Sequence, residues 1–337
     1  MKKIILFVAT SLMMAISSYA TVYRVTAYSL ETEGDGSSWQ SPMSLVNALS
    51  VAQADDIIYL KAGTYIIDNA INISKPITLK GGFLGTDDET MAGKPLTIFD
   101  TDRKTTFNSV LSITTTSSGA INKVINIGLK NGYARGLYKK GQADLLVEGC
   151  LIMTNGLANA GTGKGALVES ATGATITFRN TEFRANRQES DAKGTGSPQP
   201  ALSLAGCKEA IVDGCSFFGN SLLIVPPGTG EASNMPLGDK FTQGSAIYTT
   251  VKTTVVGCRF SGNCANIRSN SNTSGTIWFA NGSSGSIVSN SLFYGNYDRS
   301  AWNYNGKSSG AIVQQMGNVS ETLEVVGSTF AYNLSDV

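Results

Sequence analysis

The stretch Val147-Glu-Gly-Cys-Leu-Ile-Met-Thr-Asn155 recurs along this chain as a nine-residue pattern. The pattern is an aliphatic or aromatic residue, any residue, Gly or Asn, a small residue, any residue, a large apolar residue, any two residues and Asn. Its copies occupy residues 147–155, 178–186, 212–220, 255–263, 288–296 and 325–333. Repeats spaced by a few tens of residues indicate a solenoid or an array.

Within each copy, apolar and small residues alternate with polar ones, as at Val212, then Gly214 or Cys215, then Phe217. This period of two is typical of strands and not of helices. One such unit cannot bury its apolar face alone. Stacking it on a copy about 4.8 Å away pairs the backbones and encloses a continuous interior. The sequence therefore predicts an all-β fold, a parallel β-helix.

Equivalent positions predict three columns of stacked side chains. The large apolar anchors are expected to stack inside the coil: Ile152, Phe183, Phe217, Phe260, Phe293 and Phe330. The closing Asn residues are expected to hold a tight turn with positive φ and to bond the coils above and below: Asn155, Asn186, Asn220, Asn263, Asn296 and Asn333. Two positions before each anchor is a small residue. In this third column Cys215 and Cys258 are either buried free thiols or a disulfide between consecutive coils.

A second short motif, such as Gly165-Ala-Leu167 or Gly310-Ala-Ile312, precedes every later copy of the pattern. The length of each coil varies mainly between the closing Asn and this motif. We therefore expect the intervening segments to project from one side of the rod, where functional loops usually lie. These segments are residues 187–199, 221–243, 264–274 and 297–309.

The second half of the nine-residue pattern reads Phe-x-x-Asn in most copies, for example Phe217-Phe-Gly-Asn220 and Phe260-Ser-Gly-Asn263. The amino-terminal region adds Gly36-Ser-Ser-Trp39 and Gly81-Gly-Phe-Leu-Gly-Thr86. Together these motifs resemble the repeat of the chlamydial polymorphic outer-membrane proteins and their Bacteroidetes-type relatives. The resemblance implies a right-handed parallel β-helix. It also implies one of that family's roles, which include adhesins and autotransported surface proteins.

Residues 1–20 read as a secretory signal: Lys2 and Lys3, an apolar stretch, and Ser18-Tyr-Ala20 as the cleavage site. Without Lys2 and Lys3 the chain carries 24 basic and 25 acidic residues. This near-neutral balance argues against nucleic-acid or anionic-membrane partners, and no later apolar stretch is long enough for a membrane-spanning segment. We expect a protein that is secreted or on the outer surface of a Gram-negative bacterium.

Residues 21–337 are predicted to form one β-helix domain, with irregular coils and a cap at 21–144 and regular repeats at 145–333. Ser41 and Pro42 are the predicted N-cap and first residue of a short capping helix. An apolar stripe follows at Leu45, Ala48, Leu49 and Ala52. Because the last repeat ends close to the final residue, the sequence is expected to be part of a longer protein.

The absence of His excludes Ser/His nucleophile systems, His metal sites and His-dependent hydrolases on this fold. A polysaccharide lyase can work without His, using carboxylates, calcium, and a Lys or Arg base. Its best candidate row is Glu148, Arg179 and Asp213, for which the alternative is an outward ion-pair ladder. The acidic residues Asp87, Asp88, Glu89, Asp100 and Asp102 are either a calcium site or a solvated loop. No catalytic or metal-ligating set is predicted.

An aromatic cluster at Tyr294, Tyr297, Trp302 and Tyr304 lies largely in a variable segment, beside amide and charged side chains. Flat rings mixed with polar groups suit stacking on sugar faces or contact with a protein. The sequence therefore favours a non-catalytic, adhesin-like surface protein that binds a glycan or a host or cell-surface protein. The alternative is a glycan-active enzyme, most plausibly a polysaccharide lyase of uronate polymers.

Overall fold

The computed structural model describes residues 20–27, 33–88, 97–106, 108–156, 164–188, 200–222, 246–265, 273–298, 307–315, 317 and 320–335. The described residues form short strands in four sheets, and one helix, α1 (Leu45–Val51). No helix among them is long and apolar enough to span a membrane.

Three sheets run along the whole rod, and each receives one strand from almost every coil. Sheet A contains β1 (Val22–Val25), β2 (Ile57–Lys61), β5 (Thr78–Phe83), β8 (Ile121–Ile125), β11 (Asp144–Glu148), β14 (Ala171–Arg179), β18 (Cys207–Asp213), β22 (Thr253–Val256), β26 (Ser286–Ser289) and β30 (Leu323–Val326). Sheet B contains β3 (Gly63–Ile66), β6 (Thr97–Asp100), β9 (Ile127–Lys130), β12 (Leu151–Met153), β15 (Glu182–Arg184), β19 (Ser216–Phe218), β23 (Arg259–Ser261), β27 (Leu292–Tyr294) and β31 (Thr329–Ala331). Sheet C contains β4 (Ile71–Ile73), β7 (Ser109–Ile113), β10 (Arg135–Lys139), β13 (Lys164–Val168), β17 (Leu202–Leu204), β21 (Ile247–Thr249), β25 (Thr273–Phe279) and β29 (Lys307–Gln314).

A fourth, smaller sheet covers the corner between sheets B and C. Sheet D contains β16 (Arg187–Gln188), β20 (Ser221–Leu222), β24 (Cys264–Ala265), β28 (Tyr297–Asp298) and β32 (Leu334–Ser335). From β2 onward the chain visits sheets A, B and C in turn, and from β15 onward it passes through sheet D between B and C. All strand pairs are parallel, and parallel crossovers are right-handed almost without exception. The predicted right-handed parallel β-helix is confirmed.

Helix α1 caps the first coil, as predicted, but it begins later than the sequence suggested. Ser44, and not Ser41, is the N-cap, and its side chain accepts a hydrogen bond from the Asn47 N–H. The predicted start at Ser41 is wrong because Met43 forms a parallel bridge with Val25, which keeps the preceding residues extended. Leu45 and Ala48 are buried in the core.

The aromatic anchors stack face to face inside the coil. Successive ring centroids from Phe183 through Phe217 and Phe260 to Phe293 are 4.6–4.9 Å apart, and all of these rings are fully buried. Phe330 stacks on Phe293 at 4.7 Å but is 45% exposed, because β31 is the last described strand of sheet B.

The closing Asn residues form a continuous hydrogen-bonded column beside these rings. From Asn155 to Asn333, each side-chain Nδ2 donates to Oδ1 of the next Asn at 2.9–3.1 Å. The same Nδ2 donates to the anchor carbonyl of the preceding coil at 2.8–3.0 Å. From Asn186 onward, each Oδ1 also accepts the backbone N–H of the preceding Asn at 3.1–3.3 Å. Oδ1 of Asn155 accepts the Gly132 N–H at 2.8 Å. The carboxamide groups are thus saturated without water.

The expected positive φ at the closing Asn is wrong, because the left-handed residue is the one before it. This position is occupied by Thr154, Ala185, Gly219, Gly262, Gly295 and Tyr332, with φ between 49° and 62°. The turn comes one residue early, so the Asn itself can point inward and use its backbone N–H in the column.

A second left-handed corner separates sheets A and B at the third position of the repeat. Its residues are Gly149, Asn180, Gly214, Gly257, Asn290 and Gly327, with φ between 47° and 63°. At some corners the residue on one coil is Asn and the equivalent residue on the next coil is Gly. There the side-chain oxygen of the Asn occupies the space that a Cβ on the Gly would need. A Cβ on Gly214 would be 2.5 Å from Oδ1 of Asn180. A Cβ on Gly257 would meet nothing closer than 3.9 Å.

The variable segments begin and end on one side of the rod, but the predicted bounds are wrong. The first two residues of each predicted segment form a strand of sheet D, since the chain leaves the Asn column extended and pairs with its neighbours. The last two segments also end too late, because β25 and β29 begin within them. Residues 189–199, 223–245, 266–272 and 299–306 lie outside the described residues. Their ends are held by adjacent strands of sheets D and C.

One charged side chain, Lys139, points into the core, in the column of Ile113 and Val168. It is fully buried, and its Nζ donates to the carbonyls of Lys140 and Gly141 at 3.1 and 2.9 Å. Burial lowers the pKa of Lys139 from 10.5 to about 8, although nearby Asp144 opposes this shift.

The two corner glycines provide a matched test of the stacking. Gly257→Ala should cost about 1–2 kcal/mol of unfolding free energy from its left-handed backbone alone. Gly214→Ala should cost more, since its Cβ also meets Asn180. Chemical denaturation measures both losses, and adding Asn180→Gly to Gly214→Ala should remove the excess. Equal losses for the two single variants would contradict this packing.

The buried Lys139 predicts a pH dependence. Between the folded pKa of about 8 and the unfolded value of 10.5, the unfolded chain binds more protons than the folded one. The free energy of unfolding should therefore rise with pH in this window. Urea titrations of wild type and Lys139→Met at several pH values measure the slope, which should be smaller in the variant. An unchanged slope would show that Lys139 is not the titrating group.

Candidate functional site

The predicted aromatic cluster does not form one group in a loop. Tyr294 is in β27 of sheet B, and Tyr297 is in β28 of sheet D. Both are wall residues, because the pairing with neighbouring coils continues through them. Trp302 and Tyr304 lie outside the described residues.

On the outer face of sheet B, the predicted Tyr294 is joined by exposed aromatic rings that sequence reasoning missed. Phe218, Ser261 and Tyr294 occupy equivalent positions on β19, β23 and β27, and the two rings are 53% and 50% exposed. Strands about 4.8 Å apart place the two rings roughly 10 Å from each other. Tyr332, 77% exposed, meets Tyr294 edge to face with a centroid distance of 5.5 Å. We call Phe218 and Tyr294 of sheet B, together with Tyr332 in the turn directly after β31, the sheet B aromatic row.

The sequence held a signal for part of this row. Phe218 and Tyr294 follow directly after the inward anchors Phe217 and Phe293. Because successive residues of a strand point to opposite faces, an aromatic residue directly after an anchor must point outward.

Polar side chains flank the aromatic row. Ser216 and Arg259 precede the anchors on β19 and β23, and Arg259 is exposed. Within the described part of the chain, no ion pair includes Arg259. Neighbouring Arg184 pairs with Glu182 instead. The face therefore combines flat apolar rings with an available guanidinium group.

The row considered for lyase chemistry lies on the outside of sheet A. Glu148, Arg179 and Asp213 are in register on β11, β14 and β18. Arg179 Nε is 3.2 Å from Asp213 Oδ2, and both side chains are more than 40% exposed, at 44% and 41%. In water such a pair is screened and contributes little to stability. The arrangement matches the ion-pair alternative.

The acidic residues near the start are engaged with different partners. Asp88 accepts hydrogen bonds from Arg24 and Trp39, and the Arg24 bond holds its pKa below the usual value. Burial alone would raise the pKa of Asp100. Bonds from the Asp102 N–H, Lys130 and Asn131 outweigh this and lower it.

Of the remaining acidic residues, only some are described. Glu89 lies outside the described residues. In the part of the chain that is described, no group of three or more His, Cys, Asp or Glu side chains is placed to hold a metal ion.

Cys215 and Cys258, on consecutive coils, are thiols and do not form a disulfide. Cys215 Sγ donates to the Phe178 carbonyl at 3.4 Å and Cys258 Sγ to the Val212 carbonyl at 3.3 Å. Burial raises the pKa of the Cys215 thiol, which suppresses the reactive thiolate. These cysteines act as small buried residues of the wall.

A cationic cluster lies at the start of two sheet C strands. Arg135 and Lys164 are direct partners on β10 and β13, and both are partly buried. The Arg135 guanidinium lies 4.5 Å from the ring centroid of Tyr138, whose hydroxyl donates to Glu169 at 2.8 Å. Burial, and then the charge of Arg135, lower the pKa of Lys164 to about 8. Sequence reasoning missed this cluster because Arg135 lies before the regular repeats.

No protein-family model matches this chain, and no curated protein matches it. Among solved structures it is similar to the pectate lyase Pel9A, with a TM-score of 0.44, 15% identity, and coverage of 95% of this chain and 79% of that one. It is also similar to a rhamnogalacturonan lyase, with a TM-score of 0.31, 14% identity, and coverage of 91% and 87%. At these scores the fold assignment rests on the strand pairing described above and not on either likeness.

Proposed function

We propose that this chain is a non-catalytic binding protein that holds an extended glycan against the outer face of sheet B. The observation that carries the proposal is the sheet B aromatic row, with exposed rings on a rigid parallel sheet. Aromatic rings offer a large apolar surface at little cost in conformational entropy, and sugar rings present flat C–H faces that stack on them. The rings of Phe218 and Tyr294 are separated by about the length of two sugar units in an extended chain.

The polar groups beside the rings favour a glycan over a protein partner. Ser216, Ser261 and Arg259 interrupt the apolar surface with hydrogen-bond donors, whereas the centre of a protein interface is depleted of charged residues. The secretory signal predicted at residues 1–20 would bring this face outside the cell, where glycans are accessible. An outer-surface location in a Gram-negative bacterium is part of the proposal.

Binding to a panel of neutral and acidic polysaccharides, measured by affinity electrophoresis and calorimetry, tests the proposal. Phe218→Ala and Tyr294→Ala should each weaken binding by about 1–2 kcal/mol, a factor of roughly 5–30. Their unfolding free energies should change by no more than about 0.5 kcal/mol, because both rings are exposed.

Val46→Ala is the matched control, since Val46 is 65% exposed but lies on α1, beside the first strand of sheet B and several strands away from β19 and β27. Its affinity should equal that of the wild type. Retention of no polysaccharide, or equal affinity in all variants, would refute binding at the aromatic row.

A lyase remains the second candidate, and one observation favours it. Lys164 combines a pKa of about 8 with a neighbouring Arg135, and a lysine base beside a cation is suited to removing a proton next to a carboxylate. Incubation with uronate polymers, followed by the ultraviolet absorbance of an unsaturated product, distinguishes the two functions. Turnover that disappears in Lys164→Gln would replace the binding proposal with the lyase.

A further inference from the structure

Arg135 and Lys164 are two cations held side by side in sheet C. They are direct partners on neighbouring parallel strands, with Ser109 of β7 next in the same row. Within the described ranges, no ion pair includes either residue. The nearby Glu169 carboxylate accepts a hydrogen bond from Tyr138. The Nε of Arg135 is buried, and no described residue accepts a hydrogen bond from it.

This arrangement costs stability. Like charges on directly opposed residues of neighbouring strands repel each other, and partial burial removes the water that would screen them. Natural sequences usually avoid such local conflicts except at functional sites. An anion bound between the two cations would attract both of them and so offset their mutual repulsion.

We propose that Arg135 and Lys164 form a binding site for an oxyanion, a carboxylate, sulfate or phosphate group, on the outer face of sheet C. The planar guanidinium of Arg135 can donate two parallel hydrogen bonds to such a group, and Lys164 adds a compact point charge. Packing on the Tyr138 ring fixes the plane of the guanidinium before the anion arrives. The site lies on a different sheet from the aromatic row and does not depend on glycan binding there.

The charge of Lys164 makes this site sensitive to pH. Titratable residues on the strands packed against β13 are Arg135, Tyr138 and Lys139 of β10 and Arg187 of β16, and Glu169 follows β13 directly. Lys139 points into the core, and among the described side chains Arg135 and Glu169 are the charges that act on Lys164. Above about pH 8 Lys164 loses its proton, and the affinity for an anion should fall.

Thermal unfolding of the whole chain, with added sodium phosphate, sulfate or glucuronate, tests the site against sodium chloride of equal ionic strength. At least one anion should raise the midpoint of the wild type at pH 7 more than chloride does, and by less at pH 9. The effect should be absent in Arg135→Gln and Lys164→Gln. It should persist in Lys208→Gln, which removes a lysine that is 65% exposed on sheet A. A response to glucuronate alone assigns a carboxylate ligand, and a response to phosphate or sulfate assigns a tetrahedral one.

A second readout separates a binding site from a structural pair. Without added anion, Lys164→Gln should unfold no earlier than the wild type, because the substitution relieves repulsion and burial of charge. Earlier unfolding of both variants, with no specific anion effect on the wild type, would assign the pair a structural role and overturn the proposal. Equal anion effects in the wild type and both variants would overturn it as well.

Discussion

The column of closing Asn side chains is the constraint on which the rest of this structure depends. Each carboxamide bonds both the next Asn and the anchor carbonyl of the preceding coil, inside a wall that excludes water. Such a group tolerates neither a slip along the strand nor a change in the rise between coils, since either would leave buried donors unpaired. The stacked anchors add buried apolar surface, but apolar contacts are not directional and do not fix the register. The Asn column therefore sets the register, and the aromatic rings pack within it.

The register of the inward-facing side chains also determines which side chains line up on the outer face of each sheet. Because side chains alternate across each strand, fixing Phe217 and Phe293 inward fixes Phe218 and Tyr294 outward on the same line. Each regular repeat turns at two left-handed corners, one before the Asn and one between sheets A and B. The paired cations of sheet C are likewise in register, as direct partners on β10 and β13.

Most of the fold could be predicted from the sequence, because equivalent positions of the repeat stack on each other in successive coils. Anchor, small-residue and Asn positions all follow from the nine-residue pattern. Sheet D could not be predicted, since its two-residue strands differ in sequence from coil to coil, from Arg187-Gln188 to Tyr297-Asp298. The left-handed position was missed because half of its residues, such as Thr154 and Ala185, are not glycine.

The candidate sites were less accessible to sequence reasoning. A single residue such as Phe218 or Arg135 does not identify a site. The site is recognised only when the register shows which residue lies beside it on the next coil. Variable segments of different length separate those residues, so their partnership is visible only in three dimensions. The predicted cluster at Tyr294 to Tyr304 grouped residues by sequence distance, whereas the coil distributes Tyr294 and Tyr297 over two sheets.

If the Asn column holds the coils in register, its middle and its end should differ in their contribution to stability. The unfolding free energies of Asn263→Ala and Asn333→Ala, measured by chemical denaturation, test this directly. Asn263 is fully buried in the middle of the column, and its loss leaves the Phe217 carbonyl and two Asn220 donors without partners. At about 1–3 kcal/mol for each buried group, Asn263→Ala should lose at least about 3 kcal/mol. Asn333 ends the described column and is partly exposed, so water can replace its bonds and the loss should be much smaller. Similar losses for the two variants, or a loss below about 1 kcal/mol for Asn263→Ala, would contradict the account.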